Sequence, residues 1–138
     1  MAGTNGRSNK AKGYRGETEF VEAAIEAGFA GCGRNGSVYG SKDRGDVHGI
    51  PGWVVQIKNV AVLKIPEYLK DAKEQAANAG VSLYCLAFKL KGKHMREGVI
   101  ILPAKTWFGM LTEKEERDAE LKALRRLLRP EAADSEGA

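Results

Sequence analysis

The chain has 138 residues, 43% of them hydrophobic, a length that suits one compact domain with a single core and disfavours two substantial domains. Its 22 Lys and Arg residues exceed its 18 Asp and Glu residues, and the net charge of +4 is compatible with a polyanionic partner but also common among ordinary soluble proteins. No apolar stretch is long enough to span a bilayer and no signal-peptide pattern follows the basic N-terminus, so we expect a soluble, cytoplasmic protein without a membrane partner.

Cysteine and histidine usage disfavours several kinds of site. The two cysteines, Cys32 and Cys85, belong to no CxxC pair and no Cys/His cluster, so zinc and a disulfide framework are both poorly supported. Cys85 lies in an apolar run, which predicts a small buried side chain. The spacing of the two histidines, His48 and His94, provides neither a His-Asn-His metal finger nor a Ser/His/Asp arrangement.

Charge is distributed unevenly along the chain. Four basic residues precede the first acidic residue, Glu17, whereas several acidic residues lie in the last stretch. We predict a flexible basic arm over residues 1–12, which are rich in Gly, Ser and Asn; it would either follow a phosphate backbone or simply be solvated. A single domain over residues 13–129 and an acidic disordered tail over residues 130–138 complete the predicted organisation.

The first helix is predicted over Gly16–Ala27, where apolar residues recur at helical spacing, and it should stop at Gly28. Glu17 falls in the middle of the apolar face of this helix. That face comprises Phe20, Val21, Ala24 and Ile25, and the glutamates that point away toward solvent are Glu19, Glu22 and Glu26. A buried carboxylate is costly unless a cation, a metal or a proton compensates it, which makes Glu17 a candidate site residue. The alternative is that Glu17 complements the helix dipole and stays wet.

A turn-forming GIPG segment follows a glycine-rich stretch that predicts short, bent strands or loops over residues 29–41. The turn separates Gly45–Gly49 from Trp53–Asn59, and these two segments are predicted to form an antiparallel hairpin. The hairpin would bring Asp46 level with about position 55 or 56.

The second strand of this hairpin places Gln56 and Lys58 on one face by alternation. A carboxylate from Asp46, an amide oxygen and an ammonium group would then converge, which suits a hard, oxygen-liganded cation such as Mg²⁺. The lysine would orient a water molecule or hold a phosphate. A solvent-facing hairpin is the alternative, and His48, two residues after Asp46, would share its face with a secondary role at most.

The remaining elements alternate between helix and strand. A second helix begins near Pro66 and is closed by Gly80, and the segments VSLYCLAFKL and GVIILP read as strands, the latter central or covered on both faces. A third helix has Thr112 as N-cap and Glu115 in the capping-box position, and its leucine stripe suits core packing or a dimer interface. This order gives an α/β or α+β fold around a central mixed β-sheet flanked by helices.

Taken together, three segments resemble the PD-(D/E)XK nucleases, most closely the archaeal-type Holliday junction resolvases. KGYRGETEFVEAAIEAGF is similar to the family's first helix, in which Glu17 would be a metal ligand. GSKDRGD resembles the approach to the motif aspartate, Asp46, with Gly45 where proline is often found. VVQIKN resembles the (D/E)XK strand, with Gln56 in the acidic position and Lys58 as the lysine.

The resemblance runs from about Lys12 to Asn59, with looser agreement in element order to about Leu102. It implies a restriction-endonuclease-like core and a Mg²⁺-dependent DNA endonuclease in which Mn²⁺ would substitute and no small-molecule cofactor is needed. The carbonyl of Ile57 would be a further metal ligand. Gln56 departs from the family's pattern, because an uncharged amide leaves the site one negative charge short, and this bears on activity more than on fold.

The resemblance also assigns DNA contacts to polar residues beside the site, although two of the arginines could equally be ordinary surface residues. The assigned residues are Arg15, Arg34, Ser41, Lys42 and Arg44. The expected substrate is a four-way junction cut by a homodimer in a prokaryotic or phage setting, with the strand Gly98–Pro103 and the third helix as candidate interfaces. The alternatives are a related nuclease acting on flaps, mismatches or a short recognition sequence, and a catalytically silent DNA-binding module of the same fold.

Overall fold

A computed structural model describes residues 2–36 and 42–129 of the chain, with side chains from Ser8 onward. The chain divides into two compact units, Met1–Leu102 and Pro103–Ala138. The elements in chain order are α1 (Ala2–Glu26), β1 (Gly33–Arg34), β2 (Val47–His48), β3 (Trp53–Lys58), α2 (Ile65–Ala79), β4 (Leu83–Phe88), a 3₁₀ turn (Met95–Glu97), β5 (Val99–Ile101) and α3 (Ala104–Leu128). The acidic tail predicted over residues 130–138 lies outside the described residues.

The first unit is a small α+β domain with a mixed three-stranded sheet in the order β3-β4-β5. β3 and β4 run parallel, with Val55 opposite Cys85, and β4 and β5 run antiparallel. The parallel pair is connected through α2, which packs against both strands. β1 and β2 form a separate antiparallel pair. The predicted mixed sheet flanked by helices is therefore confirmed.

The core lies on both faces of this sheet. Because successive side chains of a strand alternate, Val55 and Ile57 face α1, whereas Val54 and Gln56 face α2. The α1 face joins a buried cluster that includes Ala24, Cys85, Ala87 and Met95. Cys85 is buried as predicted, and burial raises the pKa of its thiol to about 12.

The second helix has the predicted ends. Pro66 lies at the start of α2, where a missing N–H breaks no helical hydrogen bond. Gly80 ends the helix in a left-handed conformation with φ of 72°, and its N–H bonds back to carbonyls of the last turn. Both ends of α2 could therefore be predicted from the sequence, from the proline at its start and the glycine at its end.

The first helix differs from the prediction at its start. α1 begins at Ala2 rather than Gly16, so the segment predicted as a flexible arm is helical from Ala2 onward. This segment contains no proline, and its glycines lower helix propensity without blocking the backbone hydrogen bonds. Ile25 is 48% exposed, so it does not belong to the buried face as predicted.

The predicted hairpin and the predicted central strand are both wrong in detail. β2 pairs with β1 and not with β3 in a ladder, and the chain that connects β2 to β3 bends through left-handed glycines at Gly49 and Gly52. β5 is a three-residue edge strand rather than a central one. Its Val99 and Ile100 are 40% and 54% exposed, and no more than one neighbouring strand pairs with it in the described sheet.

The second unit consists of α3 in the part that the structure describes. α3 begins at Ala104 after Pro103, so Thr112 is not its N-cap. Thr112 instead lies inside the helix and donates through Oγ1 to the carbonyl of Phe108 at 3.1 Å. The predicted leucine stripe is exposed, and no residue of α3 is buried.

Candidate active site

Asp46 lies against the edge of β3 that β4 does not occupy. The N–H of Asp46 donates to the carbonyl of Val55 at 3.0 Å, and its Oδ2 accepts from the N–H of Ile57 at 2.6 Å. The prediction that Asp46 lies level with position 55 or 56 is therefore confirmed, although no hairpin ladder brings it there. The contact fixes one carboxylate oxygen beside the strand that carries Gln56 and Lys58.

Gly45 explains how the chain reaches this position. Its φ is +92°, and a Cβ atom there would lie 2.9 Å from Val54 Cγ1 and 3.0 Å from the Val55 carbonyl. Glycine alone adopts this conformation without strain, and proline, whose φ is fixed near −65°, cannot adopt it. The glycine that departs from the resembled pattern is thus required by the backbone of this chain.

Asp43 anchors the segment before Asp46 to α2. Its Oδ1 accepts from the N–H of Gly45 at 2.8 Å, and its Oδ2 accepts from Gln75 Nε2 at 2.9 Å. Asn78 Nδ2 donates to the Asp43 carbonyl at 2.9 Å. A loop held by three hydrogen bonds presents Asp46 in a defined orientation.

Asn35 holds the same segment from the other side. It is 4% exposed, donates through Nδ2 to the Gly45 carbonyl at 3.0 Å, and accepts at Oδ1 from His48 Nδ1 at 2.8 Å. His48 packs over Gly33, where an added Cβ would lie 2.8 Å from its ring. His48 therefore supports the loop through Asn35, and no contact in the described residues joins it to Asp46.

Gln56 and Lys58 project from β3 toward α2, as alternation predicts. Gln56 is 7% exposed, and its Oε1 has no hydrogen-bond partner among the described residues. An unpartnered buried amide oxygen costs about 1–3 kcal/mol, so this atom favours a bound cation or another donor. Because alternate residues of a strand direct their backbone groups to opposite edges, the Ile57 carbonyl lies on the same edge as the N–H that binds Asp46.

Glu17 approaches the site from α1. The close approach is possible at Gly16, where a Cβ atom would lie 3.3 Å from Asn59 Cβ and 3.4 Å from Ile57 Cγ2. Glu17 Oε2 accepts from Arg34 Nη2 at 3.1 Å, and the Glu17 side chain is 18% exposed. The Arg34 guanidinium also lies 4.3 Å from the centre of the Tyr14 ring. Glu17, which was predicted on the buried face of the first helix, is half-buried in the structure, and an arginine compensates its charge.

Electrostatics link three of the predicted residues. Burial raises the pKa of Asp46 to about 6, the Ile57 N–H opposes this rise, and the negative charge of Glu17 adds to it. Lys58 lowers this pKa and Asp43 raises it by smaller amounts. Glu17, Asp46 and Lys58 are therefore close enough to interact electrostatically, and a cation beside Asp46 would keep its carboxylate ionised.

The predicted DNA-contacting residues take different positions. Arg34 is bound to Glu17, as described. Arg15, Lys42 and Arg44 are exposed, with Arg15 lining an open groove along α1 and the other two preceding Asp46 in the chain. Ser41 lies outside the described residues.

The donors fit an oxygen-liganded metal ion in type. Within residues 2–36 and 42–129, no group of three or more His, Cys, Asp or Glu side chains is arranged to hold a metal. The predicted ligand set has only two such residues, Glu17 and Asp46, and completes its shell with the Gln56 amide and the Ile57 carbonyl. The unpartnered Oε1 of Gln56 is the observation that favours this set.

No protein-family model, curated protein or solved structure matches the chain. The function must therefore be inferred from the residues of the site. No helix in the described part of the chain has the length and hydropathy required to cross a membrane.

Two aromatic residues near the site were not identified from the sequence. Tyr68 of α2 contacts Lys58, and Tyr14 of α1 contacts Arg34. Tyr14 could have been identified from its position three residues before Glu17 in a basic segment. No comparable sequence feature points to Tyr68. Its contact depends on the packing of α2 across β3, which no local pattern records.

Proposed function

We propose that the protein is a Mg²⁺-dependent DNA endonuclease with a restriction-endonuclease-like core, and that it cuts four-way junctions as a homodimer. The observation that carries this proposal is that the Asp46 carboxylate binds the Ile57 N–H at 2.6 Å, while Gln56, the residue before Ile57 in β3, has a buried and unpartnered Oε1. A carboxylate oxygen and an amide oxygen are hard donors of the kind that Mg²⁺ prefers.

The residues that would hold the ion are Glu17, Asp46, Gln56 through Oε1, and Ile57 through its carbonyl. When bound, Mg²⁺ or Mn²⁺ would lower the pKa of a water molecule and stabilise charge on the phosphate. This ligand set has two carboxylates, one negative charge fewer than the PD-(D/E)XK pattern that the sequence resembles. We therefore expect weak metal binding that needs millimolar Mg²⁺.

The chain's own groups have separate tasks in phosphodiester hydrolysis. Asp46 keeps one oxygen on the Ile57 N–H, which fixes the plane of its carboxylate. Lys58, on the same face of β3 as Gln56, would donate to a non-bridging phosphate oxygen as negative charge develops there. Lys42 and Arg15 are exposed and would bind neighbouring phosphates of the substrate, which positions the DNA but does not read its sequence.

The choice of a four-way junction and of a homodimer rests on the resemblance of the three sequence segments. Symmetric cutting of a junction needs two sites related by a two-fold axis, and two-fold dimers are the commonest oligomers. The prokaryotic or phage setting belongs to the same proposal.

The test is cleavage of labelled four-way junction, flap, mismatch, duplex and single-stranded DNA, with and without Mg²⁺. We expect Mg²⁺-dependent cutting of the junction, its loss in Asp46→Asn with junction affinity retained, and wild-type behaviour in the matched control Asp118→Asn. Asp118 is an exposed carboxylate of α3 that pairs with Lys114. Binding without cutting at any Mg²⁺ or Mn²⁺ concentration would identify a silent DNA-binding module, and cutting of flaps or mismatches alone would identify a different nuclease.

A further inference from the structure

Lys58 lies against an aromatic ring at the end of β3. Its Nζ is 4.2 Å from the centre of the Tyr68 ring, and both residues are half-buried. A cation above a ring face is attracted by the negative potential of that face, most strongly where water is partly excluded. The contact therefore restricts the position of the ammonium group.

Two other cations of this domain, the largely buried Lys89 and the exposed Arg34, are held differently. Lys89 Nζ donates to Glu19 Oε1 at 2.8 Å and to the Lys93 carbonyl, and Arg34 donates to Glu17. Each of those groups is fixed by a carboxylate that neutralises it. Within the residues that the structure describes, no carboxylate lies within ion-pair distance of Lys58.

The difference matters for a group that must bind a phosphate. A carboxylate partner would occupy the N–H donors of the ammonium group and neutralise its charge. A ring face leaves N–H donors free and cancels only part of the positive charge. An aromatic partner thus leaves Lys58 fixed but still able to bind an anion.

The helix start fixes the ring in this place. Tyr68 lies in the first turn of α2, where its N–H donates to the Lys64 carbonyl at 3.0 Å and Pro66 restricts the backbone. α2 packs against β3 and β4, and a helix that connects two parallel strands runs antiparallel to them. Its N-terminal turn therefore lies over the C-terminal end of β3, where Lys58 is located.

We propose that Tyr68 is a positioning residue that holds the Lys58 ammonium over its ring face with its charge available for the scissile phosphate. The proposal rests on the proposed nuclease function, because it assigns a use to the charge of Lys58. It adds a residue of α2 to a site otherwise built from α1, β3 and the loop before β2.

The test compares Tyr68→Phe, which keeps the ring face, with Tyr68→Leu and Tyr68→Met, which remove it. We expect single-turnover junction cleavage at saturating DNA and Mg²⁺ to stay within about 2-fold of wild type in Tyr68→Phe and to fall on the order of 10-fold in the other two, with little change in DNA affinity. The matched control is Tyr84→Leu. Tyr84 is a half-buried tyrosine at the opposite end of the same sheet face, paired with Val54.

A spectroscopic readout separates positioning from a purely structural role. The ε-methylene protons of Lys58 should show an upfield ring-current shift in the NMR spectra of wild type, Tyr68→Phe and Tyr84→Leu, and lose it in Tyr68→Leu and Tyr68→Met. An unshifted Lys58 signal in the wild type would overturn the proposal, whatever the stability of the variants. Full cleavage in folded Tyr68→Leu, with Lys58→Met inactive, would overturn it while leaving the nuclease function standing. A wild-type protein that cuts no DNA would overturn both the nuclease function and the role of Tyr68, since Lys58 would then have no scissile phosphate to bind.

Discussion

Arg34 Nη2 lies 3.1 Å from Glu17 Oε2, and the same guanidinium lies over the ring of Tyr14. The pair places a fixed positive charge on the carboxylate that the resemblance assigns to a metal. Arg34 was assigned to DNA phosphates from the sequence, and in the structure its guanidinium pairs with the half-buried carboxylate of Glu17. A cation that binds at Glu17 must therefore share the carboxylate with Arg34 or displace it.

We expect Arg34→Gln to bind Mn²⁺ on the order of 10-fold more tightly than wild type in the absence of DNA, because a competing positive charge is removed. Isothermal titration calorimetry measures this directly. Arg96→Gln is the matched control, since Arg96 forms a comparable ion pair with Glu26 on an exposed part of α1. Equal Mn²⁺ affinities in the two variants would mean that the Arg34–Glu17 pair does not compete with metal.

Substitutions at Gln56 should affect metal-dependent cleavage and protein stability in different ways. Gln56→Glu should lower the Mg²⁺ concentration for half-maximal cleavage because it restores a charge to the ligand set. Gln56→Leu should abolish cleavage yet leave the free energy of unfolding unchanged or raised by about 1 kcal/mol, since an unpartnered buried oxygen is removed. In urea denaturation, the control Gln75→Leu also removes an unpartnered buried Oε1, but it loses the Nε2 bond to Asp43 as well and should therefore be destabilised. Identical metal dependence in wild type and Gln56→Glu would remove Gln56 from the ligand set.

The raised pKa of Asp46, about 6 against an ordinary value of 3.8, predicts how stability changes with pH in the metal-free protein. The folded state holds the Asp46 proton more tightly than the unfolded state, so this group's contribution to stability is present below pH 3.8 and is lost as pH rises through 6. Asp46→Asn should therefore stabilise the protein at pH 7.5 by up to about 3 kcal/mol and by little at pH 4.

Thermal unfolding in EDTA at the two pH values measures this difference, with Asp118→Asn as control. Adding Mg²⁺ should raise the melting temperature of wild type at pH 7.5 but not that of Asp46→Asn, because bound metal stabilises the ionised carboxylate. Equal stabilisation of both proteins by Mg²⁺ would contradict the assignment of Asp46 as a ligand.

Glu19 should contribute more to stability than the sequence suggested. Its Oε1 accepts from Lys89 Nζ at 2.8 Å and from the Met95 N–H at 3.0 Å, in a largely buried position. We expect Glu19→Leu to lower the free energy of unfolding by about 2–4 kcal/mol because it leaves the Lys89 charge uncompensated. The exposed control Glu26→Leu should cost much less, because exposed ion pairs contribute little to stability.

The pKa of Glu19 also has a pH consequence. Burial raises this pKa, but the hydrogen bonds from Lys89 and Met95 outweigh it, so the pKa lies below its ordinary value of 4.5. The stabilisation is therefore present above that value and is lost as pH falls through the lowered pKa. Chemical denaturation from pH 3 to pH 7 should show a steeper acid loss in wild type than in Glu19→Leu.

The parts of the site that were predictable depend on neighbours in sequence. The ends of α2, the shared face of Gln56 and Lys58, and the level of Asp46 follow from turn chemistry and strand alternation over short stretches. Glu19 was assigned to solvent because a helical wheel shows only which face a residue occupies, not what a distant segment brings to that face. Its partners Lys89 and Met95 come from the segment between β4 and β5, separated from it by 70 and 76 positions.

That separation sets an order of assembly for the domain. The hydrogen bonds of Asp46 itself close loops of 11 residues or fewer, and those that tie Asp43 to α2 close loops of 32 and 35 residues. By contrast, α1 is joined to the 3₁₀ turn by pairs such as Glu22 with His94, separated by 72 positions. Closing a long loop costs more conformational entropy, so contacts between residues that are distant in sequence form late in folding. We expect β3, α2 and β4 to form the folding nucleus and α1 to dock afterwards. Glu17 would then reach Asp46 only when the chain is almost fully folded, so a partly synthesised chain would hold an incomplete ligand set.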